Sequence, residues 1–262
     1  MANIYEGMTQ TAQKIVKDEL KIRWTYTSNA IEGNTVSLGD TSFIIEQGLT
    51  VSGITLREHE EVVGHARAID IIYDLLNKDL LREEDIFTLH KAVQTTLNID
   101  IECPLGAYKV IENGRYMEHD NRKVFHPYPH PNYIQYLMKI WLDEFANISK
   151  ENSTFEESIR KYTRAHIGFT SIHPFFDGNG RVARLLSNIY MIKNGFLPLI
   201  IDNKKRESYI KLLSAYNLNV VDLDDKSEKI IEENKHFEDI YEFFKSQYHN
   251  SQYILNEVKS KI

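Results

Sequence analysis

Ser171-Ile-His-Pro-Phe-Phe-Asp-Gly-Asn-Gly-Arg-Val-Ala-Arg184 separates two stretches of helical periodicity, and its residues dictate how the chain passes between them. Pro174 disfavours helix at His173, so the preceding helix is expected to end there. Asp177-Gly-Asn-Gly180 reads as a turn whose glycines permit positive φ and close approach of a ligand. A new helix then starts near Gly180. The N–H groups of such a turn, with the positive end of the helix behind them, form an anion site. Arg181 and Arg184, three residues apart, point to one side of the first turn, and their planar forks suit phosphate oxygens. An unsatisfied helix start prefers acidic residues, so two arginines there conflict with a purely structural reading unless an anion occupies the site. Asp177 offers the hard oxygen that Mg²⁺ takes beside phosphates. His173, with an ordinary pKa of about 6.5, is suited to accept a proton from a hydroxyl. These types in this order point to phosphoryl or nucleotidyl transfer.

Outward from this stretch the periodicity is mostly helical. It predicts helices over Tyr5–Ile31, Thr41–Gly48, Leu56–Asn77, Glu83–Leu97, Asn132–Ala146, Thr154–Ser171, Gly180–Asn194, Lys205–Asn217 and Phe237–Lys259. Asn194-Gly195 with Pro198 beyond is a helix stop. Tyr108–Val124 breaks the pattern with short β-prone runs around Asn113-Gly114, a pair suited to a tight hairpin turn. The run His126-Pro-Tyr-Pro-His-Pro131 that follows excludes helix. The expected fold class is mostly α, with a small β-hairpin.

Composition narrows the classes of partner. The 262 residues carry 31 basic and 38 acidic side chains, a net charge of −7, so a nucleic-acid partner is disfavoured and any phosphate ligand needs a local basic pocket. The one cysteine, Cys103, cannot form an internal disulfide, which fits a reducing, cytoplasmic setting. No apolar run reaches membrane-spanning length, and residues 1–20 lack the apolar core of a signal peptide.

The segment His173–Arg184 resembles the Fic family signature, H-P-F-x-[D/E]-G-N-G-R-x-x-R, at every defined position. The likeness extends upstream through Ala165-His166 and Phe169 and downstream through Leu185-Leu186, Gly195 and Pro198. It implies a Fic fold, a helical bundle core with a hairpin flap, and an enzyme that moves AMP from Mg-ATP onto a Ser, Thr or Tyr hydroxyl of a target protein. By that resemblance His173 deprotonates the hydroxyl, Asp177 holds Mg²⁺, and Gly178, Asn179 and Gly180 form the anion hole. Arg181 then binds the β-phosphate and Arg184 the γ-phosphate, positioning the nucleotide for in-line attack. Tyr209 and Asn217 fall where the family lines its adenosine pocket. Tyr108–His126 falls at the flap, which registers a target peptide by strand addition, and Lys123 and Val124 would lie near the nucleotide.

A second segment, Thr27-Ser-Asn-Ala-Ile-Glu-Gly-Asn34, resembles the family's inhibitory motif, [S/T]-x-x-x-E-[G/N]. Ser28 and Glu32 share a helix face, and Gly33 can end the helix with Glu32 at its tip. The resemblance implies that Glu32 pairs with Arg184 and keeps the γ-phosphate from its productive place. Auto-modification and self-association are compatible with the sequence. Three alternatives stay open: removal of AMP, transfer of another nucleotide such as UMP, and a nucleotide-responsive interaction module with negligible turnover.

The remaining signals are structural in character. His59 and His65 lack H-E-x-x-H spacing and are read as part of a solvated helix face, and His119, His126 and His130 have no metal-ligand spacing. The stripe Phe237, Ile240, Tyr241, Phe244 and Tyr248 predicts a last helix packed on the same domain. The expected organisation is an N-terminal helical segment over 1–55, a core over 56–217 and a helical extension over 218–262.

Overall fold

The computed structural model describes residues 7–94, 103–119, 122–149 and 152–261, with the side chains of 117–119 and 122–123 outside that set. Among the described residues the chain runs α1 (Gln10–Ile31), α2 (Leu38–Gln47), α3 (Leu56–Leu75), α4 (Glu83–Val93), β1 (Gly114–His119), β2 (Arg122–Pro127), α5 (Pro131–Phe145), α6 (Phe155–Ile172), α7 (Asn179–Lys193), α8 (Arg206–Leu218) and α9 (Lys235–Lys259). The fold is mostly α with one two-stranded antiparallel sheet. None of these helices is long and apolar enough to cross a membrane.

The helix starts follow from local chemistry. The Thr55 and Thr154 hydroxyls accept from the N–H groups of Glu58 and Glu157, whose carboxylates reach back to the threonine N–H groups. Thr9, Ser37 and Asn234 cap α1, α2 and α9 through single side-chain acceptors. Pro131 occupies the first turn of α5, where the missing N–H costs nothing. Gly195, at φ 86°, closes α7 in the left-handed conformation, and the Phe196 N–H returns to the Met191 carbonyl.

Helix α7 is the axis of the molecule. Almost every side chain from Asn179 to Met191 is buried, because α1, α3, α4 and α6 all pack against it. Trp141, Phe145, Tyr162, Phe169, Phe175 and Phe244 fill the core around it, and α9 buries its Phe237–Tyr248 stripe against α1, α6 and α8.

Four expectations need correction. Asn113-Gly114 is not the hairpin turn: the register pairs Gly114 with Pro127 and His119 with Arg122, so this pair lies at the open end of the hairpin. His65 is not on a solvated face; it is fully buried, edge-on to Trp24, with Nδ1 3.4 Å from the Thr25 hydroxyl. Helix α1 starts at Gln10 rather than Tyr5, after Gly7 takes φ 77°, and Tyr5 itself lies outside the described residues. Helix α4 ends at Val93, with residues 95–97 of the expected helix outside the described set.

Candidate functional site

Helix α6 ends on His173, whose backbone turns to φ 52° and ψ 60°. A positive φ is uncommon outside glycine and marks a position that the surroundings must hold. The surroundings do hold it. The Asn179 side chain accepts from the Phe175 N–H at 2.9 Å and donates to the Phe175 carbonyl at 2.8 Å, closing the loop on itself. His90 stacks on Phe175 with ring centroids 3.7 Å apart. Its Nδ1 accepts from the Gly106 N–H, so Nε2 carries the proton and donates to the Asp177 carbonyl at 3.1 Å. Burial pushes the His90 pKa down to about 4, which keeps this tautomer neutral.

The loop delivers Gly178, at φ 81°, to the N-cap of α7, where no side chain caps the helix and no acidic residue lies in the first turn. The N–H groups of that turn are left for an external acceptor. Arg181 and Arg184 are buried on either side. Arg181 donates to the Val93 carbonyl at 3.1 Å and to Gln94 Oε1 at 2.9 Å, with Glu61 3.7 Å and Asp177 3.8 Å away. Arg184 donates to the Ser28 hydroxyl at 3.1 Å, to the Ser28 carbonyl at 3.0 Å and to Glu32 Oε1 at 2.7 Å. Glu32 is the C-cap of α1, its carboxylate 41% exposed against 4% for the Arg184 side chain. A Cβ on Gly180 would stand 2.6 Å from that carboxylate, so the glycine is what lets Glu32 reach the helix end.

The His173 ring is half-buried and lies flat on Tyr128, with centroids 3.5 Å apart. Its Nδ1 is 3.4 Å from the Thr170 carbonyl, an acceptor only, so Nδ1 carries the proton and Nε2 keeps its lone pair. Burial, then the cations Lys109 and Arg115, lower its pKa to about 3. Asp177 is half-exposed, its Oδ2 accepting from Gln94 Nε2 at 3.1 Å and its Oδ1 from the Gly178 N–H at 2.7 Å. Partial burial pulls the Asp177 carboxyl upward, but Arg181, the Gly178 N–H and Gln94 outweigh it and hold the group below its ordinary range. An ionised hard oxygen beside an anion seat fits Mg²⁺.

The structure brings His173, Asp177, Gly178, Asn179, Gly180, Arg181 and Arg184 together around one helix start, with Ser28 and Glu32 delivered to it by α1. Tyr209 is buried, its hydroxyl 3.0 Å from His166 Nε2 and beside Arg184. Asn217 accepts from the Ser171 hydroxyl at 2.9 Å and lines a cleft of about 840 Å³ between the hairpin and the α8–α9 connection. Val124 is half-exposed on β2, and the side chain of Lys123 lies outside the described residues.

Sequence reasoning missed several residues at the site: Gln94, which bridges Arg181 and Asp177; His90, which braces the loop; Lys109 beside His173; and Asn113 and Tyr128, which were read as turn and non-helical residues only. Tyr128 carried a usable signal, as an aromatic flanked by prolines in an otherwise helical chain.

Residues 80–191 match the model of the Fic/DOC family. The chain is 33% identical over 211 residues to the protein adenylyltransferase fic-1 of Caenorhabditis elegans, covering 79% of this chain and 39% of that protein. It is 32% identical over 212 residues to the protein adenylyltransferase Fic of Aedes aegypti, covering 80% and 40%. The chain thus spans about two fifths of the length of these curated relatives. A Fic domain containing signaling protein from Bacteroides thetaiotaomicron shares the fold, with a TM-score of 0.78 at 21% identity over 99% of this chain and 97% of that one. A structure of residues 134–508 of Fic-1 from C. elegans superposes with a TM-score of 0.74 at 27% identity, covering 99% and 69%.

Proposed function

This chain belongs to the Fic/DOC family, and from that footing we propose that it transfers AMP from Mg-ATP to a Ser, Thr or Tyr hydroxyl of a protein, with Glu32 holding the reaction back. One observation carries the reading. The α7 start is a helix end without a side-chain cap, flanked by two buried arginines, and Glu32, delivered from the end of α1, places its carboxylate against Gly180 and Arg184. A seat that accepts a carboxylate in this way fits the phosphates of a nucleotide by the same chemistry.

In the proposed reaction His173 Nε2 takes the proton from the target hydroxyl. The oxygen attacks the α-phosphorus, the bond to the β-phosphate oxygen breaks, and pyrophosphate leaves with the bonding pair. The N–H groups of Asn179 and Gly180, that of Gly178 once it leaves Asp177 Oδ1, and the Arg181 guanidinium stabilise the charge that develops on the phosphates, and Arg184 orients the terminal phosphate. Mg²⁺, held by Asp177, would supply neutralising charge across the polyphosphate. Glu32 and that terminal phosphate compete for Arg184, so the resting state binds the nucleotide out of line for attack. The hairpin and its exposed Tyr116, Val124 and Phe125 fit the role of a target-docking edge.

The test incubates wild type, Glu32→Gly and Glu32→Gly/His173→Ala with labelled ATP and cell lysate. The reading expects label on protein from Glu32→Gly, little from wild type and none from the double variant Glu32→Gly/His173→Ala. The mass of the adduct separates AMP from UMP. Absence of adduct from Glu32→Gly with every nucleoside triphosphate would sink the reading.

A further inference from the structure

Lys109 is 2% exposed, yet its ammonium hydrogen-bonds an amide oxygen, Asn113 Oδ1 at 2.7 Å, rather than a carboxylate. An ammonium has donors only, so it forces the Asn113 carbonyl oxygen toward itself and turns the amide NH₂ the other way. That NH₂ donates to the carbonyls of Phe175 and Phe176, at 3.2 and 3.0 Å, in the loop that follows His173. The Lys109 backbone adds a bond from its N–H to the Pro174 carbonyl at 2.9 Å. The Asn113 carbonyl in turn accepts from the Tyr128 N–H at 3.0 Å, and Tyr128 is the ring that lies on the His173 imidazole. The Lys109 ammonium stands 5.6 Å from the centre of the Tyr128 ring. One buried cation thus sets the orientation of the amide that holds the loop after His173, while the backbone carbonyl of the same residue holds Tyr128.

We propose that Lys109 is a positioning residue for His173: its ammonium orients the Asn113 amide that carries the loop, and its charge acts together with burial against protonation of the imidazole. The proposal rests on the reading of His173 as the base of the transfer reaction. Electrostatics agree with the geometry. The groups that act on the imidazole are the cations Lys109 and Arg115 and the carboxylate Asp177, with Tyr128 stacked on one face. Burial and the two cations disfavour the imidazolium, and the Thr170 carbonyl and Asp177 oppose them only in part. Burial lowers the pKa of Lys109 itself to about 8, so it remains charged at neutral pH.

The experiment titrates the His173 imidazole by NMR in the full chain, with His173→Gln identifying the signal, and measures AMP transfer against pH in a Glu32→Gly background. Removing the cation raises the affinity of the imidazole for a proton. Lys109→Met is therefore expected to raise the midpoint by about one pH unit, a tenfold change in the protonated fraction at a given acid pH. Lys109→Arg keeps the wild-type midpoint. Asn113→Ala keeps the midpoint and lowers transfer, because it removes the bridge and leaves the charge. Asn113→Asp neutralises Lys109 in place, raises the midpoint, and serves where Lys109→Met does not fold. An unchanged midpoint in both charge-neutralising variants, or an equal rise in Lys109→Arg and Lys109→Met, overturns the proposal. A shifted midpoint without any transfer from Glu32→Gly supports the positioning role and counts against AMP transfer, so the two readings fail separately.

Discussion

The carboxylate of Glu32 lies 2.6 Å from where a Cβ on Gly180 would stand, although 148 residues separate the two in sequence. The last turn of α1 has brought an anion to the place that the first turn of α7 leaves without one. The ion pair with Arg184 is asymmetric, since the arginine is buried and the glutamate half-exposed. The guanidinium therefore depends on an external partner for much of its compensation, while the carboxylate can be solvated when it leaves.

Replacing Glu32 by glycine should then separate two properties. Transfer of AMP rises at least about tenfold, because the terminal phosphate no longer competes with a tethered carboxylate for Arg184, equivalent to about 1.4 kcal/mol. Stability of the nucleotide-free protein falls by about 1–2 kcal/mol, because Arg184 keeps Ser28 but loses its charged partner, and partial exposure of the pair moderates the loss. Urea titration with and without Mg-ATP checks both, and ATP should restore more stability to the variant than to wild type. Equal restoration in the two proteins would mean that Glu32 and the nucleotide do not share Arg184.

Asn179 belongs to the signature, yet its side chain is spent entirely on the protein, bonded to both the N–H and the carbonyl of Phe175. Asn179→Ala leaves the buried Phe175 N–H without a partner and the Phe175 carbonyl with Asn113 alone, and is expected to cost about 1–3 kcal/mol. Since the loop it closes carries Asp177 and presents Gly178, transfer should fall as well. Denaturant midpoints at neutral pH measure the first effect. A variant as stable as wild type would show that the loop is held without Asn179.

Much of this architecture was readable along the chain, and the exceptions have physical causes. Thr55 with Glu58 and Thr154 with Glu157 announce α3 and α6 because a capping box needs only neighbours three residues apart. Asn113-Gly114 carried a strong turn signal that the fold overrode, since the Asn113 amide is drawn instead to the carbonyls of Phe175 and Phe176. His65 was masked by its acidic neighbours Glu58, Glu60 and Glu61, although it shares a helical stripe with the buried Val62, Ile69 and Ile72. The segment from His173 to Arg184 is contiguous, so its chemistry reads directly. Gln94, Lys109 and Tyr128 reach the same place from three other segments, and no local spacing connects them to it.

Acid should weaken the protein through His90. Its pKa falls from 6.5 in the unfolded chain to about 4 in the fold, so the folded state favours the neutral ring. The stabilisation is whole above pH 6.5 and is lost as pH falls through the interval down to about 4, where the unfolded chain binds a proton that the native site refuses. Over that interval the loss is about 3 kcal/mol from this residue. His90→Gln is expected to be less stable at pH 7 and to lose less on acidification, with a flatter plot of stability against pH. Urea midpoints between pH 7 and pH 4.5 test this, and parallel plots for the two proteins would contradict it.

Gly180→Ala asks whether Glu32 and the nucleotide use one seat. Gly180 lies inside α7, so alanine meets no backbone penalty and should favour the helix by up to about 1 kcal/mol. The added methyl cannot coexist with the present Glu32 carboxylate, at 2.6 Å, and presses on Arg184 Nη1 at 3.1 Å. It must therefore loosen the contact that restrains the site. If the seat belonged to Glu32 alone, Gly180→Ala would behave as Glu32→Gly does and transfer would rise. If the phosphates take the same space, the methyl excludes them too. Gly180→Ala then stays as inactive as wild type, and Glu32→Gly/Gly180→Ala loses about tenfold or more in transfer relative to Glu32→Gly. The shared seat predicts the second pattern, with ATP affinity reduced in both variants that carry alanine. Calorimetric binding of Mg-ATP to the four proteins, read beside their transfer rates, decides between the two.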